Sequence, residues 1–108
     1  MIDDILSRAG INARRGRFPS PPSGTYAVFF DDIETDGADP IGGHVPHIYR
    51  HNVTIELYEP QPDDMAETKI EGELDAAGLL WSKQDRYWLQ DVQRYQVIYE
   101  TNYTSKSK

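Results

Sequence analysis

Two amphipathic helical segments and a set of alternating strand segments predict an α+β fold: an antiparallel sheet of four to five strands, helices packed on one face, two layers in all. The clearest strand signal is Tyr49, His51, Val53, Ile55 and Leu57 alternating with Arg50, Asn52, Thr54 and Glu56, the pattern of a long strand with one wet face. The clearest helix signal is Ala66, Ile70, Leu74 and Ala77 on one stripe, with Glu67, Lys69, Glu71 and Glu73 left for water. A helix laid on one sheet face is the simplest way to bury both apolar surfaces.

In chain order, Ile2, Ile5, Leu6 and Ala9 recur at helical spacing, with Asp3 and Asp4 where a helix N-terminus favours negative charge and Gly10 as the stop. Residues 11 to 18 are too irregular to assign, although Phe18 precedes Pro19 and is therefore expected to be extended. Pro19 to Gly24 reads as a stiff connector, and Tyr26 to Phe30 as a short buried strand. Glu34 to Pro46 reads as a long, glycine-containing loop, of the length that compact domains keep for function, here expected to order against a neighbour. Beyond the long strand, Asp63 and Asp64 can cap and charge the second helix, and Gly78 supplies its stop. Leu79-Leu80-Trp81 opens another strand, Asp85 and Arg86 suit a turn, and Gln93 to Tyr103 forms the last strand, with Tyr95, Val97, Tyr99, Thr101 and Tyr103 on one side. The expected organisation is a single domain over residues 1–103 and a disordered tail over 104–108.

Composition narrows the function classes. The chain has no cysteine, hence no disulfide, thiolate nucleophile or cysteine-based zinc site, which suits a reducing compartment. Met1 to Leu6 has neither a basic start nor a continuous apolar run, so no signal peptide or membrane span is expected and the cytoplasm is the default. A formal net charge of -7 repels duplex DNA at long range. Arg14, Arg15 and Arg17 form the one local basic stretch, read as interface charge rather than a phosphate site.

Asp32 to Gly37 imitates the start of a calcium loop, with alternate oxygens ahead of a glycine. Gly43 stands where the bidentate glutamate belongs, so the reading fails. His44, His47 and His51 invite a zinc site. On a strand, however, His47 and His51 would be roughly 13 Å apart, too far for one ion without a bend. No phosphate-cradling glycine loop, nucleophile elbow or carboxylate pair beside a base is present, so neither an enzyme, a cofactor nor a metal is expected.

The ordered set Asn52-Val53-Thr54-Ile55-Glu56-Leu57-Tyr58, then Leu74-Asp75-Ala76-Ala77-Gly78-Leu79, Trp81-Ser82-Lys83 and Tyr95-Gln96-Val97-Ile98-Tyr99-Glu100 resembles the small tail terminator or tail-completion proteins of tailed bacteriophages, over about Tyr26 to Asn102. The resemblance implies a structural virion protein, a homo-hexameric ring at the neck, assembled in the host cytoplasm. Such a ring caps the tail tube and docks to the head connector, and DNA passes through it. The expected subunit or tail-tube interface comprises Arg14, Arg15, Arg17, Glu34, Asp36, Asp39, Ile41 and His44. The alternatives are a head-closure or minor capsid component, a peptide-recruiting module with a groove beside Tyr95 to Tyr103, or a small metal-binding protein using the three histidines.

Overall fold

The computed structural model describes residues 1–35 and 48–106. Its elements are α1 (Ile2–Arg8), β1 (Asn12–Arg15), β2 (Tyr26–Thr35), β3 (Ile48–Glu59), α2 (Asp64–Ala76), β4 (Trp81–Lys83), β5 (Tyr87–Leu89) and β6 (Arg94–Lys106). The sheet has six strands in the order β1-β2-β3-β6-β4, with β5 also paired to β6. β1 runs parallel to β2, whereas β2–β3, β3–β6, β4–β6 and β5–β6 are antiparallel. The sheet is therefore mixed and larger than the four to five antiparallel strands expected. The two extra strands are β1 and β5, each too short to show an alternation of its own.

Register puts Ala27, Leu57 and Val97 side by side, followed by Phe29, Ile55 and Tyr99. These residues face both helices: Ile2, Ile5 and Leu6 of α1 and Ala66, Ile70 and Leu74 of α2 join them in one core. The stops work as glycine chemistry requires. At Gly10 and Gly78 φ is +74°, which turns the chain so that the amides of Ile11 and Leu79 bond back to the carbonyls of Leu6 and Leu74 at 3.0 and 3.1 Å. Asp63 caps α2 by accepting the Ala66 amide at 3.1 Å, and its other carboxylate oxygen accepts from Thr25 Oγ1 at 2.7 Å. The proline-rich connector lies across the opposite sheet face, where Phe18 meets Tyr26 edge-on and Arg94 donates to the carbonyls of Pro22 and Ser23.

Several expectations are corrected. Glu34 and Thr35 are not loop, since β2 runs ten residues to Thr35. Only residues 36–46 of the expected loop remain, and they lie outside the described residues. Thr104 to Lys106, expected in a disordered tail, continue β6. Asp85 and Arg86 do lie between two strands, but the strand that follows them is β5 rather than the predicted last strand. Glu67 does not face water: it is 4% exposed. Seven residues separate it from Leu74, two helical turns, which puts it on the apolar stripe.

Leu74 is fully buried, so Leu74→Ala is expected to cost about 2–5 kcal/mol in denaturant unfolding. Glu71 accepts from the Tyr99 hydroxyl at 2.7 Å and pairs with Lys83 at 2.7 Å, so Glu71→Ala is expected to cost about 1–3 kcal/mol rather than nothing. A loss below about 0.5 kcal/mol would mean that Tyr99 finds another partner.

Candidate functional site

Two polar constellations stand on the core face of the sheet, where alternation would otherwise place apolar side chains. The first begins where the helices end. β2, β3 and β6 continue past the core as a three-stranded extension, and the molecule measures 53 × 28 × 22 Å. Ile33, the register partner of His51, is 53% exposed, so the helical layer has ended before it.

At the root of the extension, His51 Nδ1 lies 3.0 Å from both oxygens of Asp31, and Nε2 lies 2.8 Å from Ser105 Oγ. An ionised carboxylate only accepts, so Nδ1 carries the proton, and in the neutral ring Nε2 accepts from the serine hydroxyl. Tyr103 stacks on the imidazole with centroids 4.2 Å apart and donates to Asp31 at 3.4 Å. Arg15 reaches the same carboxylate at 3.5 Å. Burial and the Asp31 charge push the Tyr103 phenol above its usual range. The array thus gives a mostly buried carboxylate a full set of donors and locks β1, β2, β3 and β6 together at the point where apolar packing stops.

Asp31, His51 and Ser105 also reproduce the order of contacts of an acid, base and nucleophile. What acyl transfer further needs is a pair of amides aimed at the developing oxyanion. Odd-numbered residues of β6 turn their backbone groups toward β3, so the Ser105 amide is used in pairing with Tyr49. The serine sits on a flat strand rather than a strained turn.

The second constellation lies beneath α2. Glu59 is fully buried and Glu67 nearly so, and both accept from Arg86, Glu59 at 3.1 Å from Nε and Glu67 from Nη2. Lys83 bridges Glu67 and Glu71, each at 2.7 Å. Burial and the neighbouring Glu67 push Glu59 up to about 8. Burial opposes ionisation of Glu67 too, but its hydrogen bonds to Glu59, Lys83 and Arg86 outweigh that and hold it well below the usual carboxylate range. At neutral pH the pair therefore holds one proton, on Glu59, and one charge, on Glu67, which Arg86 and Lys83 neutralise.

The predicted interface residues are scattered. Arg14, Arg15 and Arg17 are exposed along β1 and just after it, and Glu34 is exposed on β2, where it accepts from Asn52 Nδ2 at 3.1 Å. Arg15 alone joins the His51 array. Asp36, Asp39, Ile41 and His44 lie outside the described residues, as does His47. Asp32 and Glu34 stand on a strand, not in a calcium-type loop. Among the described residues no group of three or more histidine or acidic side chains could hold a metal ion.

Sequence reasoning missed Asp31, Glu59, Glu67 and Arg86. For the first two the signal was present: alternation carried past the end of each predicted strand puts Asp31 two positions after Phe29 and Glu59 two after Leu57, both on the core face.

No family model matches this chain, and no curated protein sequence matches it. A chain in the solved structure "Virion of native gene transfer agent (GTA) particle" matches with a TM-score of 0.60 and 14% identity, over 95% of this chain and 84% of that one. What the two share is the fold. A crystal structure from Akkermansia muciniphila covers 99% of this chain and 46% of its own, with a TM-score of 0.43 and 9% identity.

The ionic pair makes stability pH-dependent in a stated direction. Glu59 is raised from 4.5 to about 8, so its contribution is complete below about pH 4.5 and is lost as pH rises through about 8. Glu67 is lowered, so its contribution is present above 4.5 and lost as pH falls through its depressed folded value. The wild type is expected to lose thermal stability as pH rises from about 4.5 to about 8, and Glu59→Gln is expected to lose that decline. An unchanged decline would place the titrating group elsewhere. At pH 7 Arg86→Met leaves the buried Glu59 acid without its donor and Glu67 with Lys83 as its cation, and is expected to cost about 1–3 kcal/mol, measured by denaturant unfolding.

Proposed function

We propose that this chain is a structural protein of a phage-related particle, specifically a tail terminator that assembles as a ring at the head–tail joint. The observation that carries the reading is the fold likeness to a virion chain, which spans nearly the whole of both proteins. The ordered strand and helix motifs from Asn52 to Glu100 point the same way. The architecture suits the role: a helix-braced body anchors an elongated strand extension, and the net charge of -7 lets DNA pass a lumen without adhering. In this reading the chain acts by assembly and not by catalysis. Its partners are copies of itself, the tail tube and the head connector.

The test is deletion of its gene from the particle that encodes it, followed by electron microscopy. A terminator is expected to leave unjoined heads and tails of irregular length, and the purified chain is expected to restore joining by binding one end of the tail tube. Joined tails of normal length in the deletion would sink the proposal. Binding to the connector alone would point to head closure.

One observation favours a second reading, the Asp31–His51–Ser105 array, which matches a serine hydrolase in its contacts. A fluorophosphonate probe separates the two readings. The structural role predicts no labelling at Ser105, because its own amide is used in pairing with Tyr49 and is not aimed at an oxyanion, whereas stoichiometric labelling abolished by His51→Ala would establish the hydrolase.

A further inference from the structure

Among the described residues, the extension has two unpaired edges. β1 pairs with β2 only from Tyr26 to Phe29, and β4 pairs with β6 only from Tyr99 to Thr101. Among the described residues no strand pairs with the outer side of β2 from Asp31 to Thr35 or of β6 from Tyr103 to Lys106. Two hydrogen bonds fix which backbone groups point outward. The Phe29 carbonyl accepts the Gly16 amide at 3.0 Å, so odd residues of β2 turn away from β3, and Asp31, Ile33 and Thr35 point their N–H and C=O groups outward, with no strand of the described residues to meet them. The Ile98 carbonyl accepts the Gln84 amide at 2.9 Å, so even residues of β6 turn away from β3, and Thr104 presents its own.

The edges differ in charge. β2 carries Asp31, Asp32 and Glu34 within four positions, while β6 from Asn102 to Lys106 carries one lysine and no acid. Two β2 edges placed together would set acid against acid, which is destabilising across a strand pair, whereas β2 against β6 is complementary. Direction also agrees. β2 and β6 both run antiparallel to β3 and hence parallel to each other, so a copy rotated about an axis along the strands can lay its β6 beside β2 of the next in a regular parallel ladder.

We propose that these edges form the contact between copies of this chain: β6 of one copy pairs with β2 of the next, from Asp31 to Thr35, head to tail. A joint between two different surfaces repeats around an axis and closes into a ring, so this contact rests on the ring-forming reading above and supplies its geometry. Acids on an edge also serve to keep strands apart; that protective role alone predicts a monomer at every concentration.

Proline at an outward-facing edge position removes a donor without breaking the internal ladder. Ile33→Pro therefore disables the β2 edge alone, and Thr104→Pro the β6 edge alone. In sedimentation velocity the wild type is expected to assemble as concentration rises and each variant to stay monomeric. An equal mixture is expected to stop at two chains, joined through the one good edge that each retains. Self-association of Thr104→Pro by itself would indicate β2 against β2, and assembly of both variants would indicate another surface; either overturns the proposal, as does a wild type monomeric throughout. Tail-tube capping that persists in both variants would overturn the edge contact while leaving the terminator reading intact. If either variant unfolds, amide exchange of the wild type decides. Protection at Asp31, Ile33, Thr35 and Thr104 must rise together with protein concentration, and flat protection rejects the contact.

Discussion

The pairing of β3 with β6 along its whole length is the constraint on which the rest of the molecule depends. From Ile48 opposite Lys106 to Glu59 opposite Tyr95, one register sets the face of every side chain on both strands. A slip of one residue would turn Leu57, Ile55, Val97 and Tyr99 out of the core and put Glu56, Ile98 and Glu100 in. The same register carries the strands beyond the reach of the helices. An extension with one apolar face left bare would be an aggregation hazard, and the chain avoids this by changing the chemistry of that face.

That change takes place at both ends of the core. Toward the extension, apolar pairs give way to Asp31, His51 and Tyr103, which satisfy one another through hydrogen bonds and stacking. Toward the other end, Leu57 gives way to Glu59, which is buried with Glu67 against Arg86. In both places an acid occupies the position that alternation reserves for a hydrophobe, and cations or donors come from segments distant in sequence. Buried polar groups of this kind add little net stability over apolar packing, but they penalise any register or helix position that leaves them unpaired. Arg86 ties helix α2 and strand β3 to the turn before β5, which makes that residue a reporter of correct docking.

In the proposed assembly the body and the extension divide the work: the helices and core hold the root of the extension, while the edges of β2 and β6 meet a neighbour. An assembly protein needs this division, because the entropy lost in ordering a contact surface is smaller when the surface is already held in place.

Much was legible in the sequence because it follows from local rules. The periods of 2 and 3.6, the aspartate cap and the glycine stops identified α1, α2, β3 and β6, since each of those signals is carried by residues within a few positions of one another. The acid–base chemistry was not legible. Glu67 looked like one more acid on a wet helix, and only packing against β3 and the β5 turn makes it a buried partner of Glu59. β1 and β5 are too short to show a period, and they exist as strands because β2 and β6 offer them ladders to join. The bare edges follow from where those short strands stop. Sequence by itself determined the two helices and the long strands, with the apolar stripe that each of them carries. Tertiary structure decided strand order, edge exposure and the pairing of buried charge, because each depends on groups that meet only after the chain has folded.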